Sequence, residues 1–328
     1  MVTGFVKKEL ELPIKQIFIT GIAGFIGSHL ALALKKRGDS VVGCDNFNSY
    51  YDPELKLVRK ELLVKSGIEI FTCDICEPKQ IEALINKQKT SHFVHLAAQA
   101  GVRHSITHPE SYVRNNLDGF SSILELCRNH REMKLIYASS SSVYGLNKKI
   151  PFSESDRADQ PASFYGATKK SNELMAQAYH HLYGICVTGL RFFTVYGPCG
   201  RPDMAYFSFT KAILEDQPIP IFGEGKLKRD FTYIDDIVQG IIAAIDLGAA
   251  CELFNLGNNQ PEEVLTLISI IEELTGKVAK KEFLPMQAGD VPITYADISK
   301  AQKELGFCPT TSLYDGMRHF VSWYTQMN

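Results

Sequence analysis

Short apolar runs alternate with helix-like segments through the first 193 residues, and this order constrains the fold more than any other feature. The runs occupy 16–20, 40–45, 68–74, 92–98, 134–140 and 186–193. Segments with helical periodicity separate them, at 24–38, 78–89, 111–130 and 163–184. Strands joined by helices form βαβ units, and strands that are apolar on both faces belong to a covered parallel sheet. The sequence therefore predicts an α/β fold with a doubly wound parallel sheet.

A glycine-rich turn links the first run to the first helix. The stretch "TGIAGFIG" places Gly21, Gly24 and Gly27 where a backbone can approach a pyrophosphate at a helix N-terminus. Asp45 ends the second run, 18 residues after Gly27, where a carboxylate can bind both ribose hydroxyls. No Lys or Arg lies between Asp45 and Tyr51 to receive a 2′-phosphate. The pattern predicts a Rossmann-type NAD site, and a purely structural turn is the alternative.

Further cofactor contacts are expected along the same sheet edge. Asp74 and Ile75 follow the third run and are placed to contact the adenine, although Asp74 could instead cap a helix. The small residues of "LAAQAG" follow the fourth run, where close helix packing is the alternative. The predicted cofactor-binding residues are Gly21, Gly24, Phe25, Ile26, Gly27, Asp45, Asn46, Asp74, Ile75, Leu96, Ala97, Ala98, Tyr165 and Lys169.

The pattern loosens after residue 194, where several prolines interrupt the chain. Helices are predicted near 205–216, 261–275, 299–305 and 312–326, with a strand end and helix at 229–246 and a strand at 251–257. We expect residues 1–193, with about 230–257, to form the NAD-binding domain. Residues 194–229 and 258–328 would then form a smaller C-terminal α/β substrate lobe.

Composition excludes several classes of partner. Lys plus Arg is 35 and Asp plus Glu is 37, so the charge gives no reason to expect nucleic acid or an anionic membrane. No apolar run approaches the ~18 residues of a membrane span. The start "MVTGFVKKELELPIK" is too short and charged for a signal peptide, so a cytoplasmic location is expected. The single CxxC, at Cys73 and Cys76, has no second ligand pair, and we predict no metal.

A catalytic group is indicated by "YGATK". Tyr165 and Lys169 stand at i and i+4, on one face of a helix. A nearby ammonium would lower the phenol pKa, and the tyrosinate could take a proton from a substrate hydroxyl while a hydride leaves the carbon. The serines of "SSSSVYG" end a strand at its carboxyl edge, where ligands bind in such folds. The predicted catalytic residues are Tyr165, Lys169, Ser140, Ser141 and Ser142.

Together these motifs resemble the extended short-chain dehydrogenases/reductases. The resemblance rests on TGxxGxxG, Asp45, the serine run, YxxxK and "RDFTYIDD", and it covers about residues 15 to 326. Within that family, "HLAAQAGVR", "LRFFTVYGPCGRPDMA" and "MQAGDVP" are similar to UDP-glucuronate 4-epimerases. The resemblance implies tightly bound NAD, a UDP-sugar substrate and a homodimer formed through the helices at about 111–130 and 165–183.

The resemblance also implies the substrate contacts. Arg229 matches the arginine that binds the pyrophosphate, and Asp290 the residue that binds the uridine ribose. Thr194 and Arg201 are assigned to a sugar carboxylate, although Arg201 could instead clamp its own loop. Arg103 is a further candidate to face the sugar. Gln287 stands where UDP-galactose epimerases carry an arginine, which leaves the second phosphate contact open.

The expected reaction is NAD-dependent, redox-neutral 4-epimerisation of UDP-glucuronate to UDP-galacturonate through a 4-keto intermediate. Decarboxylation of UDP-glucuronate is one alternative, although decarboxylases typically carry a Glu where this chain has Ser141. Epimerisation of UDP-glucose and UDP-galactose is a second alternative. A non-catalytic NAD-binding regulator is a third, and the complete Tyr165, Lys169 and Ser140 set argues against it.

Overall fold

The computed structural model describes residues 14–286 and 291–327. In chain order its strands are β1 Gln16–Thr20, β2 Ser40–Asp45, β3 Glu69–Thr72, β4 His92–His95, β5 Lys134–Ser140, β6 Val187–Phe192, β7 Thr194–Tyr196, β8 Pro218–Phe222, β9 Lys228–Tyr233, β10 Cys251–Leu256, β11 Pro261–Glu263, β12 Lys280–Leu284 and β13 Ile293–Thr294. Its helices are α1 Phe25–Arg37, α2 Glu54–Lys65, α3 Pro78–Gln88, α4 His104–Thr107, α5 Pro109–Tyr112, α6 Gly119–Asn129, α7 Phe164–Tyr183, α8 Ala205–Leu214, α9 Ile234–Leu247, α10 Val264–Thr275, α11 Ser299–Leu305 and α12 Leu313–Met327.

A seven-stranded parallel sheet forms the centre, in the order β10-β6-β5-β4-β1-β2-β3. Neighbouring side chains of β1 enter opposite cores: Ile17 and Ile19 belong to one hydrophobic cluster, and Phe18 to the other. Burial on both faces explains why the strands read as continuous apolar runs. The strand order reverses between β1 and β4, the point at which ligands bind in such sheets. The predicted fold class is confirmed.

The second half of the chain builds smaller sheets beside this one. Strand β9 pairs with β7, β11 and β13, and β8 pairs with β12. The buried carboxylate of Asp230 ties these segments together, because it accepts hydrogen bonds from the backbone N–H groups of Asn258, Asn259 and Ala296. Helix α10 packs against α8 and α12. The chain thus leaves the large sheet after β6, returns to it in β10 and leaves it again.

Several predicted boundaries were wrong. The helix expected over 111–130 is divided into α5, a π-helical turn at Val113–Asp118, and α6. The runs at 68–74 and 92–98 form strands only over Glu69–Thr72 and His92–His95, because the residues that follow turn into the cavity wall. The segment 261–275 begins with the short strand β11 before α10 starts. Helix α2 was not predicted.

Candidate active site

The glycine turn is shaped by close backbone approach. Gly21 has a left-handed φ of 71°, and a Cβ on it would lie 2.8 Å from the backbone N of Ala97. A Cβ on Gly27 would lie 2.2 Å from the Gly21 carbonyl oxygen. Helix α1 begins at this turn, and its N-cap residue Gly24 makes no side-chain cap. The first N–H groups of α1 are therefore available to a phosphate, as a dinucleotide requires.

Asp45 lies in the cavity wall at the end of β2, as the sequence predicts. Its Oδ1 accepts a hydrogen bond from Phe47 N at 2.9 Å. Lys56 Nζ, from α2, lies 3.4 Å from the same oxygen and donates to Asn48 Oδ1 at 3.0 Å. Both Asp45 and Lys56 are buried. This cation was not predicted from the sequence, because Lys56 lies beyond the stretch between Asp45 and Tyr51.

The adenine side of the predicted site is only partly assembled. Ile75, Leu96, Ala97 and Ala98 line the cavity, together with Asn46. Asp74 is not among the described lining residues, because its carboxylate accepts from Cys76 N and from Arg114 Nη2, both at 2.9 Å. Burial opposes its charge, but these donors outweigh burial and lower the pKa of Asp74. Asp74 thus holds the turn after β3 and does not cap α3, and its contact with the adenine stays a prediction.

Tyr165 and the serine run meet at one point of the cavity. Strand β5 ends at Ser140. Helix α7 begins after its N-cap residue Ser163, whose side chain accepts a hydrogen bond from Gly166 N at 3.0 Å. The Ser140 side chain acts on the Tyr165 phenol and favours its ionised form. Ser142 N donates to Ser140 Oγ at 3.2 Å, and this bond fixes that hydroxyl. Ser141 and Ser142 also line the cavity, so the structure brings the predicted catalytic residues together.

The charges around the phenol differ from the expectation. Burial raises the pKa of Tyr165, while the Ser140 hydrogen bond and the Arg201 charge partly offset that rise. Lys169 is buried, donates to the Ala138 carbonyl at 2.8 Å, and has its pKa lowered by burial to about 8. Arg201 thus acts on the phenol as a cation that the sequence did not indicate for this role, and the action of Lys169, which is anchored to β5, stays a prediction.

A buried ion pair fixes α7 against the sheet. Glu173 accepts from Arg191 Nε and Nη2, both at 2.7 Å, and from Ser139 Oγ at 2.7 Å. The charged side chains are only 2% and 1% exposed. Burial opposes the charge of Glu173, but Arg191 and Ser139 outweigh it and lower the pKa of Glu173. Because Glu173 follows Lys169 by one helical turn, this pair holds the catalytic face of α7 in register with β5 and β6.

Thr194 and Arg201 both lie in the cavity wall. Asp203 accepts from Arg201 Nε at 3.0 Å and Nη2 at 2.5 Å, and from Tyr50 Oη at 3.1 Å. The Arg201 guanidinium lies 5.9 Å from the centre of the Tyr50 ring. Burial and Asp203 raise the pKa of Tyr50 to about 12, so its hydroxyl remains a donor. Arg201 is therefore held by its own loop and also faces the catalytic phenol.

Asp203 and Tyr50 were not predicted from the sequence, although Asp203 lies inside a quoted motif. Asp203 belongs to the same "GRPDM" stretch as Arg201, two residues away. Tyr50 follows Asp45 in the loop after β2, far from Asp203 along the chain. Only the fold brings these segments together, so the spacing of the motifs held no signal for the contact.

The remaining predicted substrate residues lie farther along the same wall. The Arg103 guanidinium stacks 4.8 Å from the Phe222 ring centre. Arg229 donates from Nη1 to the Lys228 carbonyl at 2.9 Å. Both arginines line the cavity, whereas Asp290 lies outside the described residues, as does Gln287.

The glycine turn, Asp45, Tyr165, Arg201 and Arg229 border one continuous cavity of about 950 Å³. It runs from the glycine turn and Asp45, past Tyr165 and Arg201, to Arg229 and Thr294. The first part has the open helix N-terminus and carboxylate that suit a dinucleotide, and the last part carries the cations that suit a second phosphate-bearing ligand. The Tyr165 phenol lies on the wall of the same cavity as both sets of groups.

The described part of the chain contains neither a metal-ligand cluster nor a membrane-spanning helix. Across 14–286 and 291–327, His, Cys, Asp and Glu side chains form no group of three or more that could hold a metal ion. Over the same residues, no helix has both the length and the apolar character needed to cross a bilayer.

Relatives and solved structures agree with this geometry. The chain is 51% identical over 326 residues to "UDP-glucuronate 4-epimerase 4" of Arabidopsis thaliana, covering 94% of this chain and 75% of the relative. Its fold matches the UDP-glucuronic acid 4-epimerase of Bacillus cereus, solved with UDP-glucuronic acid and NAD, at a TM-score of 0.89 and 40% identity, covering 95% of this chain and 99% of that one.

A neutral-sugar enzyme shares the fold as well. The UDP-glucose 4-epimerase of Thermotoga maritima, solved with UDP-glucose, matches at a TM-score of 0.86 and 30% identity, covering 95% of this chain and 99% of that one. Similar folds therefore accept charged and uncharged hexoses. The sugar-specific information must lie in the residues of the cavity wall.

The family itself follows from a family model as well as from these relatives. The model described as "NAD dependent epimerase/dehydratase family" matches residues 17–257, which include the glycine turn, the serine run and the Tyr165–Lys169 pair. The resemblance drawn from the motifs is confirmed, and the chain belongs to the NAD dependent epimerase/dehydratase family.

Proposed function

We propose that the protein is a UDP-glucuronate 4-epimerase, which interconverts UDP-glucuronate and UDP-galacturonate. The observation that carries the proposal is the position of Arg201, whose charge acts on the Tyr165 phenol from within the wall that also contains Thr194. A guanidinium beside the reacting hydroxyl suits a sugar carboxylate, because a hydrogen bond to a charged group is worth about 1.5–3 kcal/mol. A neutral hydroxymethyl group has no such need.

The glycine turn and Asp45 fit a dinucleotide. The N–H groups of α1 would bind the pyrophosphate and Asp45 the ribose hydroxyls. Bound NAD would supply the hydride acceptor and donor, and its positively charged ring would favour the ionised phenol. We assign residues 1–193 and about 230–257 to this function, and the remaining segments to the UDP-sugar.

The protein's own residues handle the proton and the sugar. Tyr165 removes the O4 proton, and Ser140, which lines the same cavity, orients the same hydroxyl. Arg229 and Arg103 would hold the diphosphate and the sugar. The UDP stays anchored while the 4-keto sugar rotates, which would present the other face of C4 to the returning hydride, and Tyr165 then returns the proton to O4.

The cavity wall also bears on the alternative reaction, the decarboxylation of UDP-glucuronate. A 4-keto uronate is a β-keto acid, which loses CO₂ most readily from a desolvated carboxylate. Thr194 and Arg201 offer that carboxylate polar partners, which opposes the loss of CO₂. Asp203 engages Nε and Nη2 of Arg201, so the substrate carboxylate would take Nη1 or compete with Asp203. Epimerisation is therefore favoured over decarboxylation.

The direct test is incubation of the purified protein with UDP-glucuronate without added NAD. Formation of UDP-galacturonate by NMR, without CO₂ release, is the expected result. Release of CO₂ would identify a decarboxylase, and absence of turnover with any UDP-sugar would restore the non-catalytic NAD-binding alternative.

The specificity is tested by Arg201→Ala, with Arg201→Lys as the charge-retaining control. We expect kcat/KM for UDP-glucuronate to fall about 10- to 100-fold in Arg201→Ala, the loss of one charged hydrogen bond. Any activity with UDP-glucose should change much less. Equal losses on both sugars would mean that Arg201 does not bind the carboxylate.

We also infer a homodimer and a cytoplasmic location. Support for the dimer comes from α7, where Leu174 and Leu182 are 57% and 65% exposed. Large apolar side chains repeated on one exposed helix are typical of an interface. Light scattering should give twice the chain mass of 36.7 kDa, and a mass of one chain would contradict the inference.

A further inference from the structure

One arginine outside the predicted site joins its two halves. Arg59 lies on α2 and is only 1% exposed. Its Nη2 donates to the carbonyls of Cys199 at 2.8 Å and Gly200 at 2.9 Å, and its Nε donates to Cys199 O at 3.1 Å. Its Nη1 donates to Tyr51 Oη at 2.8 Å and to Ala23 O, in the glycine turn, at 3.3 Å. One guanidinium thus binds the dinucleotide turn, the loop after β2 and the substrate loop.

The substrate loop depends on this donor. Residues 197–201 run between β7 and α8 with no strand partner. Gly197 and Cys199 have positive φ values of 145° and 54°, and a Cβ on Gly200 would lie 1.9 Å from Tyr206 Oη. A left-handed conformation at a residue other than glycine is strained and persists only when its surroundings impose it. Because Arg59 satisfies the carbonyls of 199 and 200, it imposes this turn.

The residue that emerges from the turn is Arg201. Its guanidinium is positioned by Asp203 and by the Tyr50 ring. Tyr50 precedes Tyr51, which Arg59 also binds. Arg59 therefore fixes both the backbone that carries Arg201 and the loop against which its guanidinium packs.

We propose that Arg59 is a positioning residue for sugar recognition, one that sets Arg201 relative to the catalytic phenol by tying the substrate loop to the dinucleotide turn. The inference rests on the proposed function, in which Arg201 binds the uronate carboxylate. A lysine could not replace Arg59, because an ammonium is a point donor, while a planar guanidinium can reach four acceptors from a fixed position.

The test is Arg59→Lys, which keeps the charge and removes the planar fork. Dissociation constants for UDP-glucuronate, UDP-glucose and UDP are measured by calorimetry on NAD-loaded protein. We expect UDP-glucuronate to bind about 10-fold or more weakly, the loss of one well-placed charged hydrogen bond, with UDP binding changed less than about 3-fold. An unchanged ratio of the UDP-glucuronate and UDP constants would overturn the inference.

Two further variants separate positioning from a general loss of stability. In an Arg201→Ala background, Arg59→Lys should add nothing to the loss of UDP-glucuronate affinity, because the group it positions is absent; an additive loss would overturn the inference. Arg191→Lys alters an equally buried arginine whose described hydrogen bonds are to Glu173 and Tyr144. It should lower the melting temperature but leave the ratio of the UDP-glucuronate and UDP dissociation constants unchanged. An equal change of this ratio in Arg191→Lys would overturn the inference, because Arg59 would then be only a structural residue.

Tyr51→Phe covers the case in which Arg59→Lys does not fold. It removes one acceptor of Arg59 and leaves the other three, so it should weaken UDP-glucuronate binding only about 2- to 5-fold relative to UDP; no change would overturn the inference. Failure of the proposed function would look different. In that case the unmodified protein itself would bind UDP-glucuronate no more tightly than UDP-glucose.

Discussion

We predict that breaking the buried Glu173–Arg191 ion pair, which fixes α7 against the sheet, strongly lowers the free energy of unfolding. Glu173→Gln keeps the shape of the side chain and the acceptor for Ser139 but removes the charge. Arg191, 1% exposed, would then be a buried cation without its counterion. Removing one partner of a buried pair costs about 3–5 kcal/mol of unfolding free energy.

A matched control exists on the same carboxylate. Lys170 Nζ lies 3.1 Å from Glu173 Oε2, but its side chain is 25% exposed. Lys170→Gln should cost only about 0–1 kcal/mol, as partly solvated ion pairs do. The double variant Glu173→Gln/Arg191→Met leaves no uncompensated charge, so we expect it to be more stable than Glu173→Gln alone.

Urea unfolding of the NAD-loaded protein at pH 7.5, followed by far-UV circular dichroism, measures these differences. Equal losses for Glu173→Gln and Lys170→Gln would refute the reasoning, because burial would then not determine the cost. A double variant as unstable as Glu173→Gln would refute it too, since the unpaired arginine would not be the cause.

Two more predictions concern the phenol and a buried histidine. Tyr165→Phe should lower kcat about 10²- to 10⁴-fold, the usual contribution of a general acid–base group, with NAD content by absorbance unchanged; retained turnover would exclude Tyr165 as the base. His95 is fully buried against Thr20 Oγ1 at 2.8 Å, and burial lowers its pKa to about 3. The unfolded chain takes up this proton near pH 6.5, so about 2 kcal/mol of stability should be lost between pH 7 and pH 5. Urea titrations at both pH values should show this loss reduced in His95→Asn, and an equal loss would contradict the assignment.

The large sheet could be predicted because its strands are buried on both faces and its helices are periodic. Helix α2 was missed because its polarity is inverted: Lys56 and Arg59 are buried, while Leu57 and Leu62 are each 43% exposed. No amphipathic pattern can indicate such a helix. Strands β7, β11 and β13 have only three, three and two residues, too few for any alternation to show.

The site was predictable where one motif carries a whole function, as with the glycine turn or Tyr165 and Lys169. It was not predictable where side chains from distant segments meet. Asp203 and Tyr50 are 153 residues apart, and Arg59 lies 140 residues from Cys199. Such contacts follow from the topology of the fold, and no local motif in the sequence indicates them.

The route of the chain between the large and small sheets limits how the sugar half can be exchanged. Strand β10 belongs to the large sheet, yet β9 before it and β11 after it pair with each other in a small one. No contiguous segment of the chain contains all of the proposed UDP-sugar lobe without also containing part of the proposed NAD-binding domain. A chimera would need two separate segments replaced together, with Asp230 still matched to its three backbone donors. New sugar preferences are therefore more accessible through single replacements in the cavity wall than through recombination of modules.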